Sequence, residues 1–312
     1  MHKTVLCIGA TPALQRTMEF ERVTRGDVNR ARKVSTSPAG KAVNVAVVLR
    51  ALGAQPVLTG FLGGATGATM RDLLAARGIG EQCVAVAAPT RICTTLMEDG
   101  CPGVTELVEE AATPDDGEWR TLFSRCRHLL PQAAFAVIAG ALPPHSPVDI
   151  YAMLARAARE AGTPLLIDSQ KQPLLAALTH GPLLVKLNVH ELAITFGRPL
   201  RNRREIIGAA REIQHRGAQW VFVTDGARAA FLVGANGAQV FSPPKIRAVN
   251  AVGSGDATTA GIAAALLAGE PMPQAVTLGI ACGAANALTL TPADVHAETA
   301  RNLRSEIRVR AA

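Results

Sequence analysis

A chain of 312 residues, 48% of them hydrophobic, is long enough to bury a sizeable core as one large α/β domain or two medium ones. Its formal net charge of +7 is scattered except for Arg201-Asn202-Arg203-Arg204, so no nucleic-acid partner is expected and an anionic small substrate suits the excess better. Six cysteines without a C-x-x-C pair or partnered histidines argue against a zinc site or a disulfide framework, and no apolar run reaches membrane-spanning length.

Met1-His2-Lys3-Thr4 passes directly into the strand-like Val5-Leu6-Cys7-Ile8, with no signal-peptide core, so a cytoplasmic protein with no membrane contact is expected. Thr11-Pro12-Ala13-Leu14-Gln15 redirects the chain. Residues 16–37, polar and β-branched, predict extended segments outside the main core. Pro38-Ala39-Gly40-Lys41 then leads into an apolar helix over 42–52, closed by Gly53. Gly40-Lys41 is not a nucleotide P-loop, because Ser35 stands where the first glycine belongs and Ala42 where Ser or Thr belongs. Lys41 at a helix start still suits an anion.

A strand is predicted over 55–62, a turn over Gly63-Gly64-Ala65-Thr66-Gly67 and a helix over 70–77. Three extended segments, 82–88, 91–98 and 103–108, follow in hairpin fashion and are expected to join 11–37 in a small separate sheet. From Pro114 the pattern is regular: helix to 130, strand 135–139, helix 147–161, strand 165–168, a short helix from 172, strand 184–187, a helix opened by Asn188, helix 203–216 and strand 220–224. Such alternation predicts an α/β fold whose mainly parallel sheet is covered on both faces. Ligands in such sheets bind beyond the carboxyl ends of the strands. That rule selects Thr11 to Gln15, Gly140 to Pro144, Asp168, Lys186 to Asn188 and Thr224-Asp225-Gly226 as one rim. A β-hairpin about Gly234-Ala235-Asn236-Gly237 comes next, then alanine- and glycine-rich helices over 256–268 and 274–290 and a frayed basic tail from Arg301.

Asn250-Ala251-Val252-Gly253-Ser254-Gly255-Asp256-Ala257 is the stretch around which the rest is organised. Gly253 and Gly255 permit backbone conformations in which successive N–H groups converge on an anion at a helix start. A carboxylate beside a phosphate makes chemical sense only if it accepts a proton, which would make Asp256 a base. From the octapeptide alone, an acid favoured by the helix dipole is an equal reading.

Three segments together decide between these readings. Val252-Gly253-Ser254-Gly255-Asp256, Ala39-Gly40-Lys41-Ala42-Val43-Asn44-Val45-Ala46 and Asn188-Val189-His190-Glu191 resemble, in order and at the expected separations, the motifs of the PfkB-type sugar kinases of the ribokinase-like superfamily. Gly26-Asp27-Val28-Asn29-Arg30, Thr90-Arg91-Ile92 and Thr105-Glu106-Leu107 are most similar to the branch containing 1-phosphofructokinase and tagatose-6-phosphate kinase.

The resemblance implies a ribokinase-like three-layer α/β/α core, residues 1–10, 38–88 and 113–312, with a β-sheet lid, residues 11–37 and 89–112, that closes on the sugar and offers a surface for a homodimer. It implies phosphoryl transfer from ATP to a phosphorylated ketohexose, with Asp256 as base and the backbone of Gly253, Ser254 and Gly255 stabilising the transferring group. The substrate would meet Gln15, Gly40 and Asn44, with Arg30, Lys41 and Arg91 on its phosphate. Lys186, Asn188, Thr224, Asp225, Gly226 and Asn286 would lie along ATP, and Asn188 and Glu191 would organise Mg²⁺ through water. The sequence departs from the branch at Gln15 (usually Asp), Ala39 and Ala42 (usually Gly) and Leu187 (usually Pro). Two other outcomes stay open: a kinase of an unphosphorylated alcohol, and a silent binding or sensor protein.

Overall fold

The computed structural model describes residues 4–101 and 103–312. Residues 1–3, with which the expected core begins, and Pro102, inside the expected lid, lie outside the described residues. The first half of the chain forms β1 (Thr4–Gly9), β2 (Ala13–Phe20), β3 (Lys33–Ala39), α1 (Lys41–Ala51), β4 (Gln55–Gly63), α2 (Gly64–Ala76), β5 (Gly80–Glu81), β6 (Val84–Val86), β7 (Arg91–Glu98), β8 (Val104–Val108), α3 (Asp116–Leu129), β9 (Phe135–Ala139) and α4 (Ile150–Glu160). The second half forms β10 (Leu165–Asp168), α5 (Lys171–Ala177), β11 (Leu184–Asn188), α6 (Val189–Phe196), α7 (Arg203–His215), β12 (Trp220–Asp225), β13 (Ala229–Gly234), β14 (Gly237–Ser242), α8 (Ser254–Leu267), α9 (Met272–Ala287), α10 (Ala297–Arg304) and β15 (Arg308–Ala311).

The large sheet runs in the order β15-β14-β13-β12-β11-β10-β9-β1-β4-β5, with β6 also on β4. It is parallel from β12 to β4, and antiparallel from β12 through β13 and β14 to β15. Strand side chains alternate between faces, and β1 shows the outcome. Val5 and Cys7 enter a core with α1, α8 and α9, while Leu6 and Ile8 enter the opposite core with α3, α4 and α7. One sheet with an apolar core on each face is the expected three-layer arrangement.

Two glycine contacts fix how closely these layers meet. A Cβ on Gly9 would lie 2.5 Å from the Cβ of Ala42, so α1 crosses β1 with no spare methyl between them. A Cβ on Gly261 would lie 2.9 Å from Gly279 Cα, which is the close α8–α9 packing that the alanine- and glycine-rich helices predict.

The second sheet, β3-β2-β7-β8, is separate. Its β2–β7 pairing is parallel, with Gln15 opposite Cys93, and β7–β8 is a hairpin. Three expectations change. The 82–88 segment belongs to the large sheet through β6, because Val84 is buried with Phe61 in the second core. Helix α2 begins at Gly64, so the predicted glycine turn is already helical. The basic tail is ordered: α10 buries Ala300 and β15 pairs with β14, closing the sheet edge. No helix among the described residues is long and apolar enough to cross a membrane.

Candidate active site

The site lies at the carboxyl ends of β1, β9, β10, β11 and β12, where the parallel sheet hands its chain to loops and helix starts. Helix α8 begins there with Gly253 as its N-cap at φ 80°, a left-handed conformation that suits glycine. Asn250 and Asn286 brace this turn. The Asn250 carbonyl oxygen accepts from the Val252 N–H at 3.0 Å, and the Asn286 amide donates to Val252 O at 2.8 Å and to Ser254 Oγ at 3.1 Å. Gly255 is small for a different reason: a Cβ there would lie 2.7 Å from the Lys186 ammonium.

Asp256, in the first turn of α8, is 6% exposed and accepts a 2.7 Å hydrogen bond from the Asn44 amide on α1. Burial pushes its carboxyl up to about 6; the Lys41 ammonium opposes the rise, the Asp168 carboxylate reinforces it, and Lys186 and the Asn44 bond oppose it. The Asn44 carbonyl oxygen is buried without a partner among the described residues, an acceptor facing the same place.

Asp168, at the end of β10, is wholly buried and joins these groups. It accepts from Lys41 at 3.0 Å, from Lys186 at 2.9 Å and from the Thr259 hydroxyl at 2.8 Å. Burial alone would raise its carboxyl, but Lys186 and then Lys41 outweigh that and hold it below the usual carboxylate range. Lys41 also binds Glu191 at 2.7 Å. Glu191 in turn closes a capping box with Asn188 on α6: each side chain accepts from the other residue's backbone N–H, at 2.8 and 2.9 Å.

This geometry gives several of the expected residues partners within the protein. Lys41, expected on a substrate phosphate, here has its ammonium held by two carboxylates, because it enters a pocket already bearing Asp168 and Glu191. Lys186, expected along ATP, is buried on Asp168 beneath Gly255. Asn286, also expected along ATP, is 0% exposed, and its carbonyl oxygen accepts from Ala293 N–H at 2.7 Å. Both of its N–H donors and its carbonyl oxygen are engaged in bracing the turn. Asn188 and Glu191, expected to organise magnesium, spend their side-chain oxygens on the helix cap and on Lys41.

Four expected nucleotide residues do meet. Asn188, Thr224, Asp225 and Gly226 line one open hollow of about 1010 Å³ with His190 and Arg228. On the other side Gly40 caps α1 at φ 106°, where a Cβ would lie 2.9 Å from Pro12 Cα. Arg91 donates to Thr11 O and Glu109 O, each at 3.0 Å, while its buried Nε has no partner among the described residues. Gln15 is buried in β2 and donates to Thr95 Oγ1 at 2.7 Å. Arg30 lies exposed between β2 and β3, with no hydrogen bond among the described residues. Sequence reasoning placed Asp168 on the rim but assigned it no role, and it missed Thr259. The acid ending the apolar run Leu165-Leu166-Ile167 was the available signal; Thr259, one helical turn beyond Gly255, gave none.

The profile of the pfkB family carbohydrate kinases matches residues 2–296. The chain belongs to that family. It is therefore a sugar kinase, and its fold is ribokinase-like. It is 32% identical over 271 residues to a 1-phosphofructokinase of Xanthomonas campestris pv. campestris, covering 86% of this chain and 85% of that protein. It is 28% identical over 287 residues to a tagatose-6-phosphate kinase of Staphylococcus epidermidis, covering 91% and 92%. Among solved structures, the tetrameric inhibited form of phosphofructokinase-2 from Escherichia coli superposes with a TM-score of 0.90 at 25% identity, covering 98% of this chain and 99% of that one. A ribokinase from Arabidopsis thaliana, at 17% identity and a TM-score of 0.77 over 97% of this chain and 99% of that one, shares the fold.

Asp168→Asn leaves the buried Lys186 ammonium facing a neutral amide. Breaking a buried pair in this way costs about 3–5 kcal/mol, whereas Thr259→Val, which removes one neutral donor, costs about 1 kcal/mol. Urea unfolding of both variants checks the difference, and equal losses would deny Asp168 its central place.

Proposed function

We propose that this kinase transfers the γ-phosphoryl group of ATP to a hydroxyl of a phosphorylated ketohexose, in the manner of a 1-phosphofructokinase. The observation that carries the reading is Asp256: a buried carboxylate, raised to about 6 by burial, at the amino end of α8 beside two glycines. Asp256 takes the proton of the acceptor hydroxyl. The freed oxygen attacks the γ-phosphorus, the bond to the β–γ bridging oxygen breaks, and ADP leaves. Backbone N–H groups of Gly253, Gly255 and Asp256 meet the charge on the transferring group, while that of Ser254 donates to Ala251 O at 3.1 Å. Asn44 holds Asp256 through its amide and offers its unpaired carbonyl oxygen to a sugar hydroxyl.

The nucleotide fits the hollow between α6 and the end of β12, with Thr224, Asp225 and Gly226 along it. Mg²⁺ would neutralise phosphate charge there. Among the described residues no group of three His, Cys, Asp or Glu is placed to cage a metal. Asn188 and Glu191 therefore fit a water-mediated role, through lone pairs left over from the cap.

On the sugar side, the Arg91 Nε–H is unpartnered among the described residues and Gln15 keeps its carbonyl oxygen. The Gln15 amide donor is spent on Thr95, so Gln15 presents an acceptor without negative charge. We read this as a shift in the preferred ketohexose phosphate, with tagatose 6-phosphate and fructose 6-phosphate as alternatives to fructose 1-phosphate. The β3-β2-β7-β8 sheet serves as the lid. Val34, Leu107 and Val108, exposed on it, and Val28, exposed in its β2–β3 connection, support the reading that two such sheets pair in a homodimer. The cysteines are free thiols, five of them buried, which suits a cytoplasmic setting.

A coupled ADP-release assay over fructose 1-phosphate, fructose 6-phosphate, tagatose 6-phosphate and the free sugars tests the substrate class; turnover of free sugars alone would reject it. In Asp256→Asn, kcat is expected to fall about 10²-fold or more while ATP affinity, read by calorimetry, stays within about twofold. For the parent enzyme, the base works deprotonated. Its kcat/KM is therefore expected to be level above about pH 6 and to fall about tenfold per unit below it. A profile level down to pH 4.5 would rule Asp256 out as the base.

A further inference from the structure

Lys171 lies three residues beyond Asp168 and has φ 63°, in the left-handed region. Among the described residues only His145 and Ala293 share that conformation without being glycine. All three lie around the site: His145 in the loop after β9, Lys171 after β10, and Ala293 in the loop tied to Asn286. L-residues hold this conformation at an energetic cost, and such positions concentrate where function needs a particular side chain.

The surroundings explain how Lys171 is held. Its N–H donates to Thr195 Oγ1 on α6 at 3.0 Å, and the Thr195 hydroxyl donates to Glu191 O at 2.7 Å. Lys171 is thereby fastened to the helix whose outer face lines the large hollow and whose Glu191 binds Lys41. The charges nearby make the case. Lys41 and Lys186 are neutralised by Asp168 and Glu191, Arg228 by Asp225, and Arg198 by Glu212. Lys171 is exposed, and no described carboxylate lies within ion-pair distance of it.

We propose that Lys171 is a phosphate-contacting residue of this kinase, presenting its ammonium from the β10–α5 turn to a phosphate of the nucleotide or of the sugar phosphate. The proposal rests on the kinase reading given above. A glycine would take the same turn without strain, so the turn itself does not call for lysine. A polyanionic substrate does, beside a hollow whose own lining arginines, Arg198 and Arg228, are already paired.

Lys171→Gly removes the ammonium and keeps the turn, and Lys171→Arg keeps the charge. Steady-state kinetics would be measured with MgATP and fructose 1-phosphate, or the panel's best sugar phosphate, alongside thermal unfolding and calorimetric binding of ATP and of the same sugar phosphate. The expected result for Lys171→Gly is a KM and Kd about tenfold higher for one of the two with an unchanged or higher Tm; Lys171→Arg stays within about threefold of the parent. The substrate whose affinity falls identifies the phosphate. Affinities within twofold for both, together with a raised Tm, would overturn the proposal and leave a strained surface lysine. If the parent bound these phosphates but turned over none of the panel, the proposed activity would fall, while the calorimetric comparison would still decide Lys171.

Discussion

A single buried carboxylate holds the centre of this enzyme together. Asp168 ends β10, and its two oxygens receive Lys41 from the start of α1, Lys186 from β11 and Thr259 from α8. Without a negative charge there, two ammonium groups would be brought together in a low-dielectric interior. With it, the two elements carrying the glycine motifs are locked to the sheet. The same charge acts on Asp256 from the other direction. It reinforces the rise that burial causes, so the group that fixes the geometry also helps tune the proposed base.

Much of the fold was legible because the periodicity is strong where the sheet is parallel. Strands 135–139 and 165–168 and the helix opened by Asn188 fall where the apolar runs and the cap residue place them. Failures came where a local signal was ambiguous. Glycines at 63, 64 and 67 read as a turn, yet glycine also suits a helix start that must pass close to another backbone; a Cβ on Gly64 would lie 3.0 Å from Pro89 Cα. The 82–88 segment is extended as expected but pairs with β4, and strand character alone does not state a partner. The tail is basic and looked solvated, yet it supplies an edge strand.

The site was legible in its motifs and less so in its contacts. Gly253, Gly255, Asp256 and Asn44 come together, and Thr224 to Gly226 line one hollow with Asn188. What the sequence could not say is which cations are already occupied. Lys41 and Lys186 look like anion ligands because lysine at a helix start or strand end is a generic phosphate signal. Their shared counterion, Asp168, lies 127 residues from Lys41 and 18 from Lys186 in the chain, and such pairing is settled only by the fold. Asn286 is similar: a buried asparagine reads equally well as a ligand contact or as the brace that its hydrogen bonds form here.

Helix α1 crosses β1 so closely that Ala42 occupies the space a side chain on residue 9 would need. The two positions share room for one methyl group. A family member with glycine at the position of Ala42 has that room free, and one with alanine there must keep residue 9 bare. The two sites are therefore coupled, and the order of changes matters: an alanine at position 9 first needs position 42 to give up its own methyl, and even then meets Ala139 O at 3.3 Å.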